Sequence, residues 1–321
     1  MIVDLPDTTT SAISKALVKI REEGGAVALG RVLTLVIATT LGDEEEAIEA
    51  ANDASREHPM RVIVLSRRAE HSDEDARIDG QIRVGGDAGA SEVVVLRAYG
   101  AAASDEEGLV MSLLLPDAPV VVWWPRQAPE DPSASALGRI AQRRITDAAE
   151  HPDPVEALAS IGRTYRPGDT DFAWTRLTLW RAQLAAVLDQ PPYEPVERIA
   201  VSGSSDSPST ELLAAWLRLQ LDAPVDLETT DARGSTGIHG VTLTRASGDI
   251  RLEREQPGIA TLVQPNQPTH DISLARRSLR DCLAEELRRL DPDDLFGEVV
   301  QKGLALLEAP AAGAGSGGKR P

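Results

Sequence analysis

Residues 31–39 read RVLTLVIAT, and Thr34 is the only polar residue between Val32 and Ala38. A strand with one wet face would alternate apolar with polar residues. A run this continuous suits a strand buried on both faces, as in a parallel sheet covered by helices. Downstream, Gly42 and Asp43 lead into Glu44–Glu46, carboxylates placed where they complement the positive end of a helix dipole. Further apolar runs follow at 61–66 (RVIVLS), 92–97 (EVVVLR) and 119–124 (PVVVWW), with a helical pattern at Glu107–Leu115. Upstream, Ile13, Leu17 and Ile20 fall on one helical face of Ser11–Arg21. Strands alternating with helices predict an α/β layered domain with a mostly parallel, helix-covered sheet.

The stretch Asp131–Gly162 reads as alternately helical and irregular. Arg166-Pro167-Gly168-Asp169 is a breaker cluster and marks a domain boundary, with Gln190-Pro191-Pro192-Tyr193 as a second candidate. The expected division is an N-terminal α/β domain over 1–167, a C-terminal α/β domain over 168–308 and a disordered tail over 309–321. The second half opens with a strand at Arg198–Ser202, a Ser-rich loop and a helix near Thr210–Leu221. Val241, Leu243, Ile250 and Leu252 alternate with polar residues around Ser247-Gly248-Asp249, which predicts a hairpin with one wet face. A strand at Ile259–Val263 and two closing helices complete a mixed fold. The first helix carries the stripe Leu279, Leu283, Leu287 and Leu290, and the second runs over Asp293–Leu307.

The 321 residues carry 51 acids against 33 bases, a net charge of −18. Proteins that neutralise phosphate backbones need concentrated Lys and Arg, so nucleic acid and anionic membranes are disfavoured as partners. Nothing approaches the ~20 apolar residues of a membrane-spanning helix, and the N-terminus lacks the pattern of a signal peptide. One cysteine, Cys282, precludes an intrachain disulfide and fits a reducing, cytoplasmic compartment.

No catalytic constellation emerges. His58, His71, His151, His239 and His270 show no i,i+4 pairing, and there is no cysteine pair, so no metal site is expected. Gly24, Gly25 and Gly30 precede a strand, the wrong order for a dinucleotide fingerprint, and no P-loop occurs; no cofactor is expected. Residues 199–213, IAVSGSSDSPSTELL, run strand, polar loop, helix. Ser202, Gly203, Ser204 and Ser205 are therefore a possible anion cradle at a helix N-terminus. The alternative is an ordinary capped loop, which Asp206 and the lack of nearby bases favour. Arg139, Arg143 and Arg144, together with Arg163 and Arg166, read as solvated faces with Asp147 and Glu150 as available partners.

Aromatics make up only 3% of the chain, so their clustering is informative. Trp123 and Trp124 end a strand and point to opposite faces. A helix expected over Thr170–Leu188 presents Ala173, Leu177, Trp180, Leu184 and Val187 as its buried stripe. Trp174, Arg176 and Arg181 carry residue types that dominate protein interfaces. Trp123, Trp124, Trp174, Arg176 and Arg181 are accordingly the candidate partner-binding residues.

The segments RVLTLVI, HPMRVIVLS, PVVVWWP, DPSASALGRIAQRRITDAA, GDTDFAWTRLTLWRAQLAAVLDQPP and SPSTELLAAWLRLQL, in this order, resemble the OpcA family of glucose-6-phosphate dehydrogenase assembly proteins. The resemblance runs from about Ser11 to Leu307. It implies a non-catalytic factor that binds glucose-6-phosphate dehydrogenase and promotes its assembly or allosteric activation, in support of the oxidative pentose phosphate pathway. It carries over no catalytic residue. The thiol-based control discussed for such proteins has no internal form here, because Cys282 stands alone. The rival expectation is a sugar-phosphate sensor or pentose-pathway enzyme that uses the Ser202–Ser205 loop.

Overall fold

The computed structural model describes residues 1–23, 30–68, 75–85, 92–230 and 237–308. Gly24, Gly25, His71 and the expected tail 309–321 lie outside them. In chain order the elements are β1 (Ile2–Leu5), α1 (Thr10–Glu23), β2 (Leu33–Thr40), α2 (Glu45–Ala54), β3 (Met60–Arg67), β4 (Arg77–Val84), β5 (Glu92–Tyr99), α3 (Glu106–Met111), β6 (Val120–Trp123), α4 (Ala136–Arg139), β7 (Arg143–Thr146), α5 (Pro154–Thr164), β8 (Asp169–Asp171), α6 (Phe172–Thr175), α7 (Thr178–Leu188), β9 (Arg198–Ser204), α8 (Pro208–Leu221), β10 (Val225–Thr230), β11 (Ile238–Thr244), β12 (Ile250–Gln256), β13 (Ile259–Val263), β14 (His270–Ser273), α9 (Leu279–Arg288), α10 (Asp294–Glu298), a π-helical turn (Val299–Gly303) and α11 (Leu304–Glu308).

Two compact units form, and the chain crosses between them repeatedly. The first holds Met1–Pro152, Thr164–Thr175 and Arg277–Asp293; the second holds Asp153–Arg163, Arg176–Arg276 and the residues from Asp294 onward. A single cut near Arg166–Asp169 does not reproduce this division. Unit 1 reclaims β8, α6 and α9 from the second half of the sequence, while α5 belongs largely to unit 2.

The first unit is built on an eight-stranded sheet of order β1-β4-β5-β3-β2-β6-β7-β8. Strands β5, β3, β2, β6, β7 and β8 pair in parallel, and β4 and β1 add an antiparallel edge. Numbered along the chain, the six parallel strands run 3-2-1-4-5-6, the doubly wound order of dinucleotide-binding folds. The expectation drawn from residues 31–39 holds: Leu33 to Ala38 are all buried. Their side chains divide between two cores. Leu33, Leu35 and Ile37 pack with α2 residues Ala47, Ile48 and Ala51 and with α9 residues Cys282, Leu283 and Leu287. On the other face Val36 and Ala38 pack with Ile13 and Leu17 of α1 and Leu109 and Val110 of α3. Cys282 is fully buried within the first core, which keeps its thiol from solvent oxidants.

The second unit is a six-stranded sheet of order β10-β9-β11-β12-β13-β14, in which β10 and β9 are parallel and the rest antiparallel. The predicted hairpin is β11–β12, with Leu243 opposite Ile250. One row of side chains, including Val201, Val241, Leu252 and Leu262, is buried, as are Leu212, Leu213 and Trp216 of α8. The stripe on α7 is also buried at Trp180, Leu184 and Val187, and the Arg254 guanidinium lies 5.8 Å from the Trp180 ring centroid.

The segment 170–188 is not one helix. Asp169–Asp171 is a strand, paired to β7 through Thr146 opposite Asp171. The helix is then broken into α6 and α7 around Arg176 and Leu177. Asp171 explains the start of α6. Its carboxylate accepts from the Ala173 N–H at 2.8 Å, which satisfies an amide that a longer helix would have bonded to its own backbone. The second closing helix is likewise split by the π-helical turn, in which five-residue hydrogen bonding widens the helix.

Candidate functional site

In doubly wound sheets ligands bind beyond the carboxyl ends of the strands, where the strand order reverses. Here that point lies between β2 and β6. The phosphate of a nucleotide would sit at the N-terminus of the helix after β2, where the first-turn N–H groups are free. Strand β2 indeed leads through Gly42, whose φ of +96° suits glycine, to α2. The loop and first turn there carry carboxylates of their own. Glu44 stands at the N-cap position of α2 with its side chain folded inward, only 4% exposed, and that side chain makes no hydrogen bond to the first-turn N–H groups. Its carboxylate accepts from the Gly42 N–H at 3.1 Å, the Ser66 hydroxyl at 2.8 Å and Arg97 Nε at 3.2 Å. Glu45 follows, held by two bonds from Arg83 at 2.9 and 2.6 Å. The Arg83 bond outweighs burial and lowers the Glu45 carboxyl below the usual glutamate range. Two carboxylates, Glu44 and Glu45, therefore stand at the start of α2, and an anion brought there would meet both.

On the other side of the reversal, β6 ends in Trp123, and Trp124 follows it. They point to opposite faces, as a strand requires, and both are buried. Trp123, fully buried, lies in the core on the α2 side with its ring centroid 5.5 Å from that of Phe172. Trp124, 4% exposed, packs in the other core with Val122 and Leu137. Neither ring offers a surface to a partner.

Further along, the ends of β7 and β8 carry a buried polar network. Asp171 is wholly buried and accepts from the Thr146 hydroxyl at 2.6 Å and the Ala148 N–H at 2.9 Å. Burial and the neighbouring Asp147 charge push its carboxyl up to about 6, against the pull of the three donors. Arg143, in β7, is buried against Glu286 of α9 and donates to the Asp291 carbonyl at 2.8 Å. Glu286 also accepts from the Thr175 hydroxyl. Trp174, 1% exposed, donates from its indole nitrogen to Asp293 at 2.8 Å. This corrects the reading of Trp174 as a contact residue: its ring fills a core and its polar edge is already used. Of the aromatic–arginine group, Arg176 and Arg181 are partly exposed, and they belong to the second unit whereas Trp174 belongs to the first.

The other arginine clusters also resolve into pairs, with partners different from Asp147 and Glu150. Arg139 meets Glu107 at 3.2 Å, Arg144 is buried on Asp169, and Arg163 meets Glu156 at 2.6 Å. Arg166 donates to the Tyr165 carbonyl.

The Ser202–Ser205 loop does not form an open cradle. The Ser204 N–H donates to the Gly237 carbonyl, Ser205 N–H to Thr230, Ser207 N–H to Ser204 and Thr210 N–H to Ser207. Pro208 at the helix start has no N–H to give. A Cβ at Gly203 would meet the Thr210 hydroxyl at 2.3 Å and the Gly237 carbonyl at 2.9 Å, so glycine is there for close packing.

Two groups carried no local sequence signal. One is the Asp147–Asp171 pair. The other lies at the opposite, N-terminal end of the strands, where Glu92 is surrounded by Arg21, Arg31 and Arg61. Glu44 had a partial signal in the acidic helix start after Gly42. Among the described residues no cluster of His, Cys, Asp and Glu is placed to hold a metal, and no helix is long and apolar enough to cross a membrane.

Fold and site together define a doubly wound α/β unit with carboxylates at the start of the helix after β2, joined to a mixed-sheet unit. Comparison with family models adds the family. Residues 51–163 match the N-terminal domain, and residues 167–300 the C-terminal domain, of the family described as the glucose-6-phosphate dehydrogenase subunit. The chain belongs to the OpcA family of glucose-6-phosphate dehydrogenase assembly proteins. Among solved structures it is similar to an oxidoreductase from Sinorhizobium meliloti (11% identity, 86% of this chain and 96% of that one, TM-score 0.49). It is similar also to myo-inositol dehydrogenase from Lactobacillus casei (12%, 86% and 94%, 0.45) and to glucose-6-phosphate 1-dehydrogenase from Mycobacterium avium (11%, 88% and 93%, 0.40). No curated protein matches the chain in sequence.

Proposed function

We propose that this protein is a non-catalytic assembly factor or allosteric activator that binds glucose-6-phosphate dehydrogenase in the cytoplasm. The observation that carries the reading is the family match over residues 51–163 and 167–300, with the carboxylates of Glu44 and Glu45 at the start of α2 in accord with it. A nucleotide phosphate brought to that helix end would meet the carboxylates of Glu44 and Glu45. An activator must bind one state of its partner more tightly than another, because equal affinity for both shifts nothing. Contact is assigned to the partly exposed Arg176 and Arg181, while the buried Trp123, Trp124 and Trp174 support the fold of the first unit.

Co-purification with the dehydrogenase tests the proposal, followed by its kinetics and oligomeric state with and without this chain. A shift in size together with a higher rate or substrate affinity is expected. No shift in any of the three refutes it. Arg176→Glu with Arg181→Glu should weaken the complex, with urea unfolding of the variant measured beside it to separate lost contact from lost fold; undiminished binding in a folded variant moves the contact elsewhere.

A further inference from the structure

The Glu92 cluster has an unequal charge. Arg21 donates to its carboxylate from Nε at 3.1 Å and from Nη2 at 2.9 and 3.0 Å. Arg31 donates from Nη2 at 2.9 Å, and Arg61 from Nε at 2.8 Å. Three guanidiniums thus share one carboxylate, leaving two positive charges over in a chain whose net charge is −18. The three do not come from one charged stretch. Arg21 ends α1, Arg31 precedes β2, and Arg61 and Glu92 face each other across β3 and β5.

The cluster is graded from inside to outside. Glu92 is 2% exposed and the Arg61 side chain 8%, while those of Arg31 and Arg21 are 18% and 36% exposed. Arg61 is finished, since its other arm donates to the Leu113 carbonyl at 2.6 Å. Arg21 and Arg31 are not. Arg21 Nη1 and Arg31 Nε and Nη1 make no hydrogen bond among the described residues. Burial and its two sister arginines hold the Arg61 guanidinium below its usual value, with Glu92 opposing them. The like charges are therefore close enough to repel, and a second anion would relieve the repulsion.

We infer that Arg21 and Arg31, braced on Glu92, form a binding site for a phosphate dianion, either inorganic phosphate or a phosphate monoester. Two surplus charges match the dianion, and the planar forks of two arginines suit its oxygens. The ligand class is the one considered for Ser202–Ser205, but the place is the N-terminal end of the first unit's strands, where these donors, Arg21 Nη1 and Arg31 Nε and Nη1, make no hydrogen bond among the described residues. The inference is independent of the dehydrogenase reading.

The test is calorimetric titration of the full chain with inorganic phosphate and, separately, glucose 6-phosphate, at constant ionic strength set by chloride. Saturable binding is expected, with the affinity reduced about tenfold or more in Arg31→Gln, which removes at least one charge-assisted bond. Arg31→Lys should retain part of it. Tighter binding of the monoester than of inorganic phosphate would assign the site to a sugar phosphate, and equal binding to the phosphate group alone. Phosphorus NMR of the wild-type protein gives a second readout that needs no variant to fold. No saturable binding to the wild type, or unchanged affinity in a folded Arg31→Gln, overturns the inference and leaves the cluster a purely structural ion-pair network.

Discussion

Replacing Trp174 with alanine separates a core residue from an interface residue. The ring is 1% exposed, so its removal opens a cavity inside the first unit. Trp-to-Ala changes at such positions cost about 3–5 kcal/mol. The indole N–H given to Asp293 is a bond to a charged acceptor, and such bonds contribute about 1.5–3 kcal/mol. These ranges overlap in what they count, so about 4–5 kcal/mol is the expected loss. Against a typical domain stability of about 5–15 kcal/mol, that is about a quarter of the total or more. Trp174→Phe keeps most of the ring and drops the bond, and should lose about half as much. Urea unfolding followed by circular dichroism measures this, read as a lower midpoint at unchanged slope. Binding to the dehydrogenase should weaken only in proportion to the fraction unfolded. An alanine variant with the wild-type midpoint that no longer binds the dehydrogenase would refute the argument and return Trp174 to the surface.

Other outcomes follow from the same structure. Glu92→Gln leaves Arg61 buried beside an uncharged amide; breaking one side of a buried pair costs about 3–5 kcal/mol, so the unfolding midpoint should fall sharply, and a change within error refutes the buried network. The Asp171 carboxyl, raised to about 6 from an unfolded value near 3.8, binds its proton more tightly when folded. Its contribution is therefore most favourable below pH ~4 and is lost as pH rises through ~6, at a cost of about 3 kcal/mol at neutral pH. Side-chain carboxyl NMR should show a midpoint near 6, and a midpoint in the ordinary aspartate range refutes it. Gly203→Ala drives a methyl into the Thr210 hydroxyl and the Gly237 carbonyl, so thermal unfolding should show a loss of about 1–3 kcal/mol; an unchanged melting temperature means that α8 shifts freely.

The central strands were legible because burial on both faces writes itself as a continuous apolar run. Strand β7 was not, although all four of its residues are buried. Its sequence, RRIT, holds two arginines whose partners, Glu286 and Asp169, lie 143 and 25 residues away in the chain. Strand β8, DTD, looks like a helix cap for the same reason: what makes Asp171 a strand residue is its pairing with Thr146. At Trp174 the residue type pointed to an interface, but the acceptor that uses its N–H is 119 positions downstream. The apolar stripe of α7 was read correctly because helical periodicity is local. Glu44 lay between these cases. Its helix start was visible, but the turning of its side chain onto Gly42, Ser66 and Arg97 needed the sheet to bring those donors together.

The return of α9 to the first unit sets an order on biosynthesis. Leu35, Ile37, Val62 and Val64 are made early, yet the core that holds them is completed by Cys282, Leu283 and Leu287. Chains lengthen by about 5–20 residues per second, so the nascent sheet waits roughly 10–45 seconds with part of one face uncovered. A chain stopped at the junction between the two family domains would never receive that cover. The N-terminal half expressed alone should therefore be a sticky, chaperone-bound fragment, and the two halves should be soluble only when made as one polypeptide.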